Sequence, residues 1–331
     1  MRTDKLIRKV VVFLVFTLCL AQKMTAFETF KFSVAPKYAF QNGQLDEIVL
    51  YSNGNQLSEL NWQIDKMSLL GFNATVGWEM ILIEANCLWG IPKASGAMYD
   101  SDWLNTSNYG MKTNYSESSN FVDSLGDLQL KLGVDIKTWD FLHIIPYLGL
   151  SYNRAKFSAN GGTYWYGDTS STGLPYCVSY DSTEAKKGSF GSDVDVITYE
   201  REMFNYQLGV KAKYEFLTRF TLSADFALAV FTQVNSIDHH ILKDNTSSPA
   251  YYLDKMQGLF SCFDAAAELD VKIWKGLSSG LGFRFDYLRL TQGIDYIKKS
   301  SDPKYAKASD GSSAATKGYY YNIEAFVRYS F

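Results

Sequence analysis

Apolar and polar residues alternate strictly over long stretches of this chain. Leu128, Leu130, Leu132, Val134 and Ile136 are separated by Gln129, Lys131, Gly133 and Asp135. A two-residue period puts every apolar side chain on one face of an extended strand. Ten segments carry the pattern, at about 28 to 41, 58 to 73, 75 to 90, 125 to 138, 141 to 158, 201 to 216, 218 to 234, 259 to 275, 277 to 294 and 317 to 331. After residue 26 no apolar run reaches the ~20 residues of a spanning helix. The chain therefore either avoids the membrane or crosses it as a closed barrel, in which every backbone donor and acceptor is satisfied.

The connections separate these cases. Long polar segments at about 42 to 57, 91 to 124, 159 to 200, 235 to 258 and 295 to 316 alternate with tight turns such as Thr138-Trp139-Asp140 and Trp274-Lys275-Gly276. Short periplasmic turns opposite long extracellular loops are the habit of outer-membrane barrels. A secreted β-sandwich has shorter strands and less regular connections. Many of the segments exceed the ~9 to 11 residues that cross a bilayer at barrel tilt. The expectation is an all-β, ten-stranded antiparallel transmembrane β-barrel that stands tall above the lipid and carries long extracellular loops.

Composition and the chain ends sharpen that picture. Aromatic residues make up 16% of the chain and only six residues are proline, a balance that favours strands. Residues 1–26 read as a secretory signal peptide, with Arg2, Lys5, Arg8 and Lys9 ahead of an apolar run from Val10 to Leu20 and a cut expected near Ala26. This leaves 27–331 as the barrel. Removing the signal takes five cations and one anion from a net charge of −3 and leaves −7. An acidic protein is no partner for nucleic acid and suits cationic polypeptides. The last strand ends Tyr329-Ser330-Phe331, with the terminal aromatic residue that outer-membrane assembly machinery receives. Of the four cysteines Cys19 falls in the expected signal peptide; the remaining Cys87, Cys177 and Cys262 are odd in number and widely spaced, so neither a disulfide framework nor a metal site follows, and Cys87 and Cys262 read as small hydrophobes.

Titratable residues gather in two places, Asp100-Ser101-Asp102 in the second long connection and Asp238-His239-His240 at the start of the fourth. In an extended chain residues i and i+2 share a face, which pairs Asp100 with Asp102 and Asp238 with His240. A carboxylate bonded to an imidazole fixes its tautomer and raises its basicity, so the ring can deprotonate a water held against a second carboxylate. Isolated loop carboxylates are usually solvated surface charges, which is the plainer reading of each alone. Adjacent histidines on a strand point apart, so a zinc site is not expected. No phosphate-cradling loop or nucleophile-elbow serine is present.

These residues resemble the omptin family of outer-membrane endopeptidases. The likeness runs through Gly43-Gln44-Leu45-Asp46-Glu47, Gln56 to Trp62, Met98 to Gly110, Gly161 to Tyr164, the Asp238 and His240 pair and the C-terminal strand. It implies that Asp100 and His240 flank a nucleophilic water, that Asp238 supports His240 and that Asp102 completes the carboxylate couple. Glu47 and Met98 fall at substrate-binding positions, and cleavage beside basic residues is implied. Ser236 and Asn114 stand where some members have acids. Arg154, Arg201 and Lys255 match outer-wall positions that bind lipopolysaccharide, an activating lipid, while residues near Leu150 and Tyr152 depart from that lipid site. The expected protein is a monomer in the outer membrane. Its site faces outward toward extracellular polypeptides, and neither metal nor any other cofactor is called for. The rival readings are a catalytically silent barrel acting as adhesin or receptor, and a porin. Ten strands argue against the porin, because their lumen is filled by side chains such as Lys131, Asp135, Asp225, Glu268 and Asp270, expected to pair there.

Overall fold

The computed structural model describes residues 30–331; the expected signal peptide lies outside them. Ten antiparallel strands close on themselves: β1 (Phe30–Leu50), β2 (Gln56–Trp78), β3 (Ile81–Gly90, resuming at Lys93–Asp102), β4 (Asn114–Val134, extended by Ile136–Trp139), β5 (Leu142–Tyr166), β6 (Lys186–Phe216), β7 (Phe220–His240), β8 (Tyr251–Gly258, resuming at Cys262–Trp274), β9 (Leu277–Lys298) and β10 (Ser313–Ser330). Each pairs with its neighbours in sequence, and β1 pairs with β10, Val34 opposite Tyr329 and Leu50 opposite Ser313. Closure removes both sheet edges.

The barrel is built inside out relative to a soluble protein. Leu130, Leu132, Leu148, Leu208, Leu281 and Ile323 lie on the outer wall at 44–64% exposure, while their polar neighbours point inward. This apolar belt is what a lipid-facing surface requires. Inside it, Lys37 meets Glu324 at 2.8 Å and Glu268 at 3.0 Å, Lys131 meets Asp225 at 2.6 Å, Lys211 meets Glu84 at 2.8 Å, and Arg328 meets Asp270 and Glu268. Asp135 bonds His143 at the turn end. Toward the loop end the lumen turns apolar, with the rings of Trp62, Phe157 and Tyr199 clustered together (Trp62 to Phe157 5.4 Å, Trp62 to Tyr199 5.7 Å, Phe157 to Tyr199 6.5 Å) beside Leu45, Met67 and Val122. Salt bridges and this aromatic plug fill the lumen, as a ten-stranded barrel requires.

Several expected boundaries move. The strands run far beyond the lipid, β6 over 31 residues, and absorb most of the expected loops, leaving connections at 51–55, 103–113, 167–185, 241–250 and 299–312. The turn expected near residue 74 lies at Glu79-Met80, because Ala74 to Trp78 continue to pair with Phe30 to Val34. Bulges explain why the alternation seemed to stop. Asp123 is skipped in the β4–β5 register and Val230 in the β6–β7 register. One extra residue reverses which side chains point inward.

Candidate active site at the loop end of the barrel

Above the belt the outer wall becomes polar, carrying Glu117, Arg154, Glu200 and Lys255, and the inward faces of seven strands surround an acidic mouth. The residues singled out in the sequence lie on strand extensions rather than in loops. The bulge at Val230 directs Val234, Ser236 and Asp238 inward, each 2% exposed or less, while Ile237 faces out at 45%. On β3 a register shift between Ala94 and Ala97 aligns Met98, Asp100 and Asp102 with the inward face, opposite Trp62, Leu60 and Ser58 of β2. Gly96 sits in that shift at a φ of +66°, where a Cβ would meet the Gln63 side chain.

Asp238 Oδ2 lies 2.6 Å from His240 Nε2. Holding that nitrogen leaves Nδ1 to take a proton. The imidazole rests edge-on against Tyr252, with centroids 5.1 Å apart. Across the mouth, burial, then Asp102, then Asp238 hold the Asp100 carboxyl well above its usual range, against a lowering by Lys243. Burial also raises Asp102, opposed by its hydrogen bond from Ser58 and by the charges of Lys243 and His240. Two carboxyls this close do not both ionise readily. His239 points the other way, stacked on Tyr251 at 4.0 Å and held by Asp244 at 2.8 Å. The strand parity separates the two histidines as expected.

Glu47 lies opposite Leu60 on β2 and Thr316 on β10, 3% exposed. Burial and then Asp238, Asp254, Asp295 and Asp100 push it well above the usual carboxylate range. Met98 is fully buried in the apolar core beneath Asp100, so it reaches the mouth only as part of its floor. Asn114 donates to Asp102 at 3.5 Å, and its oxygen accepts the backbone N–H groups of Gly167 and Asp168. Ser236 donates to Asp254 at 3.1 Å.

Sequence reading missed four members of the site. Lys243, on the short 3₁₀ turn Ile241–Lys243, donates to Tyr252 Oη at 3.2 Å. Burial opposes its charge, yet Tyr252, Asp238 and Asp100 together raise its pKa. Asp254 on β8 faces both Ser236 on β7 and Asp295 on β9. Only the inward parity of β8 and β9, anchored on neighbours distant in sequence, reveals them.

One expected lipid contact is corrected. Arg201 is 1% exposed, because it alternates with Tyr199 and Met203 on the inward face of β6, while Glu200 and Glu202 take the outer wall. Arg154 does face outward, with its Nε donating to Glu200 at 2.8 Å, and Lys255 faces outward over the Tyr296 ring at 5.6 Å.

Comparison with known proteins identifies the family and the fold. The family model described as Omptin family matches residues 28–331. Protease 7 of Escherichia coli O157:H7 is 23% identical over 194 residues, 56% of each chain. Outer membrane protease OmpP of Escherichia coli strain K12 is 21% identical over 201 residues, 58% of each chain. The chain thus spans little more than half the length of the curated relatives it matches. The crystal structure of outer membrane protease OmpT from Escherichia coli shares the fold, with a TM-score of 0.78 at 16% identity over 93% of this chain and 99% of that one.

Proposed function

The chain belongs to the omptin family, and from that premise we propose that it is an outer-membrane endopeptidase whose site opens to the outside of the cell. The observation that carries this reading is the Asp238–His240 pair at 2.6 Å, set across the mouth from Asp100 and Asp102. A water between His240 and Asp100 gives its proton to Nδ1 as its oxygen attacks a peptide carbonyl. Asp238 stabilises the imidazolium that forms, and the same proton then passes to the departing amine. Asp100 and Asp102 hold one negative charge between them, which orients the water and polarises its O–H bond. No covalent intermediate is needed, and histidine is the base, unlike in enzymes that use two carboxylates alone.

The acidic mouth selects polypeptides with basic residues beside the cleaved bond. Arg154 and Lys255 are offered to lipopolysaccharide phosphates, although Arg154 must leave Glu200 to use its planar fork there. Refolded protein, with and without lipopolysaccharide, is expected to cleave a quenched peptide with an Arg-Arg or Arg-Lys centre, as a monomer. Failure of correctly folded protein to cleave this peptide or any member of a varied library, in either lipid condition, would transfer the protein to the class of silent adhesins or receptors.

Lys243 gives the reading a pH signature. Its ammonium lowers the carboxyls of Asp100 and Asp102 against the burial that raises them. The couple must lose a proton to work, so kcat/KM falls as pH drops through its titration. Lys243→Met removes the lowering charge and is expected to move this acid limb to higher pH, with Lys243→Arg restoring it. A pH profile of kcat/KM for the three proteins checks this, and an unmoved limb in Lys243→Met would remove Lys243 from the site.

A further inference from the structure

When water attacks a peptide carbonyl, a pair of electrons moves onto the carbonyl oxygen, and a site for amide hydrolysis must receive that charge. Donors aimed at such an oxyanion commonly carry a large share of the rate. The groups that act on the water do not supply one. Asp238 and the couple of Asp100 with Asp102 carry negative charge and repel the oxyanion, and the imidazolium of His240 is committed to Asp238 and to the departing amine.

A donor stands beside them. Lys243 ends the 3₁₀ turn Ile241–Lys243, which follows His240 directly. Its Nζ donates to Tyr252 Oη at 3.2 Å and lies 5.3 Å from the centre of the Tyr252 ring. His240 packs on the edge of that same ring. Tyr252 gives its own proton to the backbone carbonyl of Pro249 at 3.3 Å, so its oxygen is free to accept and the ammonium is tethered beside the imidazole. An ammonium has three donors. Only the one to Tyr252 is used among the described residues, and no carboxyl is hydrogen-bonded to Lys243. Burial opposes its charge, but Tyr252 and then Asp238 and Asp100 hold the proton on it. The ammonium therefore sits in the field of both sides of the mouth with two donors unspent.

We propose that Lys243 is a further catalytic residue, whose Nζ donates to the carbonyl oxygen of the cleaved bond as that oxygen becomes an oxyanion, and that Tyr252 is the positioning residue that holds it there. This rests on the endopeptidase reading. As the water oxygen bonds to the carbonyl carbon, His240 takes the water proton and the C=O π pair moves onto the oxygen, where a free N–H of Lys243 meets it. The ammonium keeps its proton throughout. Collapse returns the pair to the C=O bond, breaks the C–N bond and passes the His240 proton to the amine. A cation in this mouth works against the attraction of basic side chains, and the negative charge that appears only during the reaction accounts for its placement. Its effect on Asp100 and Asp102 sets where the acid limb falls, whereas its contact with the oxyanion sets the height of the plateau above that limb.

The test measures kcat and KM for wild type, Lys243→Met, Lys243→Arg and Tyr252→Phe on one arginine-centred peptide, each on its own plateau above the acid limb and each refolded to the same strand content. Calorimetry then measures binding of a phosphinic peptide of the same sequence, whose tetrahedral anionic centre imitates the intermediate. Lys243→Met is expected to lose about 10²–10³-fold in kcat with KM held within about threefold, as for an interaction made only in the transition state. Its affinity for the phosphinic peptide should fall by a similar factor. Lys243→Arg keeps a charged donor and should recover most of both. Tyr252→Phe frees the ammonium without removing its charge, so the acid limb should stay in place while kcat falls about tenfold or more. A plateau kcat in Lys243→Met within about threefold of wild type, or a loss of kcat that phosphinic binding does not share, overturns the assignment and leaves the protease reading intact. A wild type that cleaves no peptide overturns both.

Discussion

Replacing His240 by alanine is expected to lower kcat/KM by about 10²–10⁴-fold while leaving the barrel folded. The ring is half-buried at the mouth and touches Tyr252 only by its edge, so little packing is lost. The base for the water is lost entirely. Asp238→Asn should show most of the same loss, since an amide holds Nε2 without stabilising the imidazolium. The neighbouring His239 provides the internal control. It lies on the outer side of the same strand, bonded to Asp244 and stacked on Tyr251, and His239→Ala should keep activity close to wild type. Steady-state rates on one quenched peptide resolve all three. Comparable losses in His239→Ala and His240→Ala would mean that the parity set by the Val230 bulge does not govern the site.

Arg284→Met is expected to cost about 3–5 kcal/mol of stability. Arg284 is buried in the lumen and holds Asp127 at 2.8 Å, Asp286 at 2.6 Å and Asp264 at 3.4 Å. Methionine fills much of the same space but leaves three carboxylates facing one another without a countercharge. Much of the expected cost is this abandoned charge rather than lost packing. Denaturant unfolding in detergent micelles measures it. As contrast, Lys137→Ala removes the exposed partner of Asp140 at the far turn, where water screens the pair, and should leave stability unchanged. A small effect in Arg284→Met would show that the lumen network does not hold the barrel together.

The lipid-facing half of the fold was legible in the sequence because lipid enforces a strict rule. Leu128 to Val134 alternate cleanly since one face meets hydrocarbon and the other meets the charges of the lumen. Above the lipid both faces accept polar residues, so Asn114 to Val122 looked like loop although they pair throughout with β3 and β5. The bulges at Asp123 and Val230 then reverse the phase, and nothing in the local sequence announces them. Closely spaced pairs survived this uncertainty. Asp100 with Asp102, and Asp238 with His240, share a face in any extended segment, whatever the register. Arg201 was misplaced for the converse reason, because which face a lone residue takes depends on the parity of the whole strand. Asp254 and Asp295 meet only through pairing of β8 with β9, and Lys243 through the 3₁₀ turn that bends it back over Tyr252.

The central claim is that Asp100 and His240 act on one water, and a double-mutant cycle tests it most directly. Asp100→Ala, His240→Ala and the combined variant are assayed on one arginine-centred peptide, with folding verified for each. If both groups hold the same water, the double variant should be no slower than the worse single variant, within about threefold, as groups acting as a unit are strongly non-additive. Losses that multiply, or substantial activity retained by either single variant, would contradict the claim.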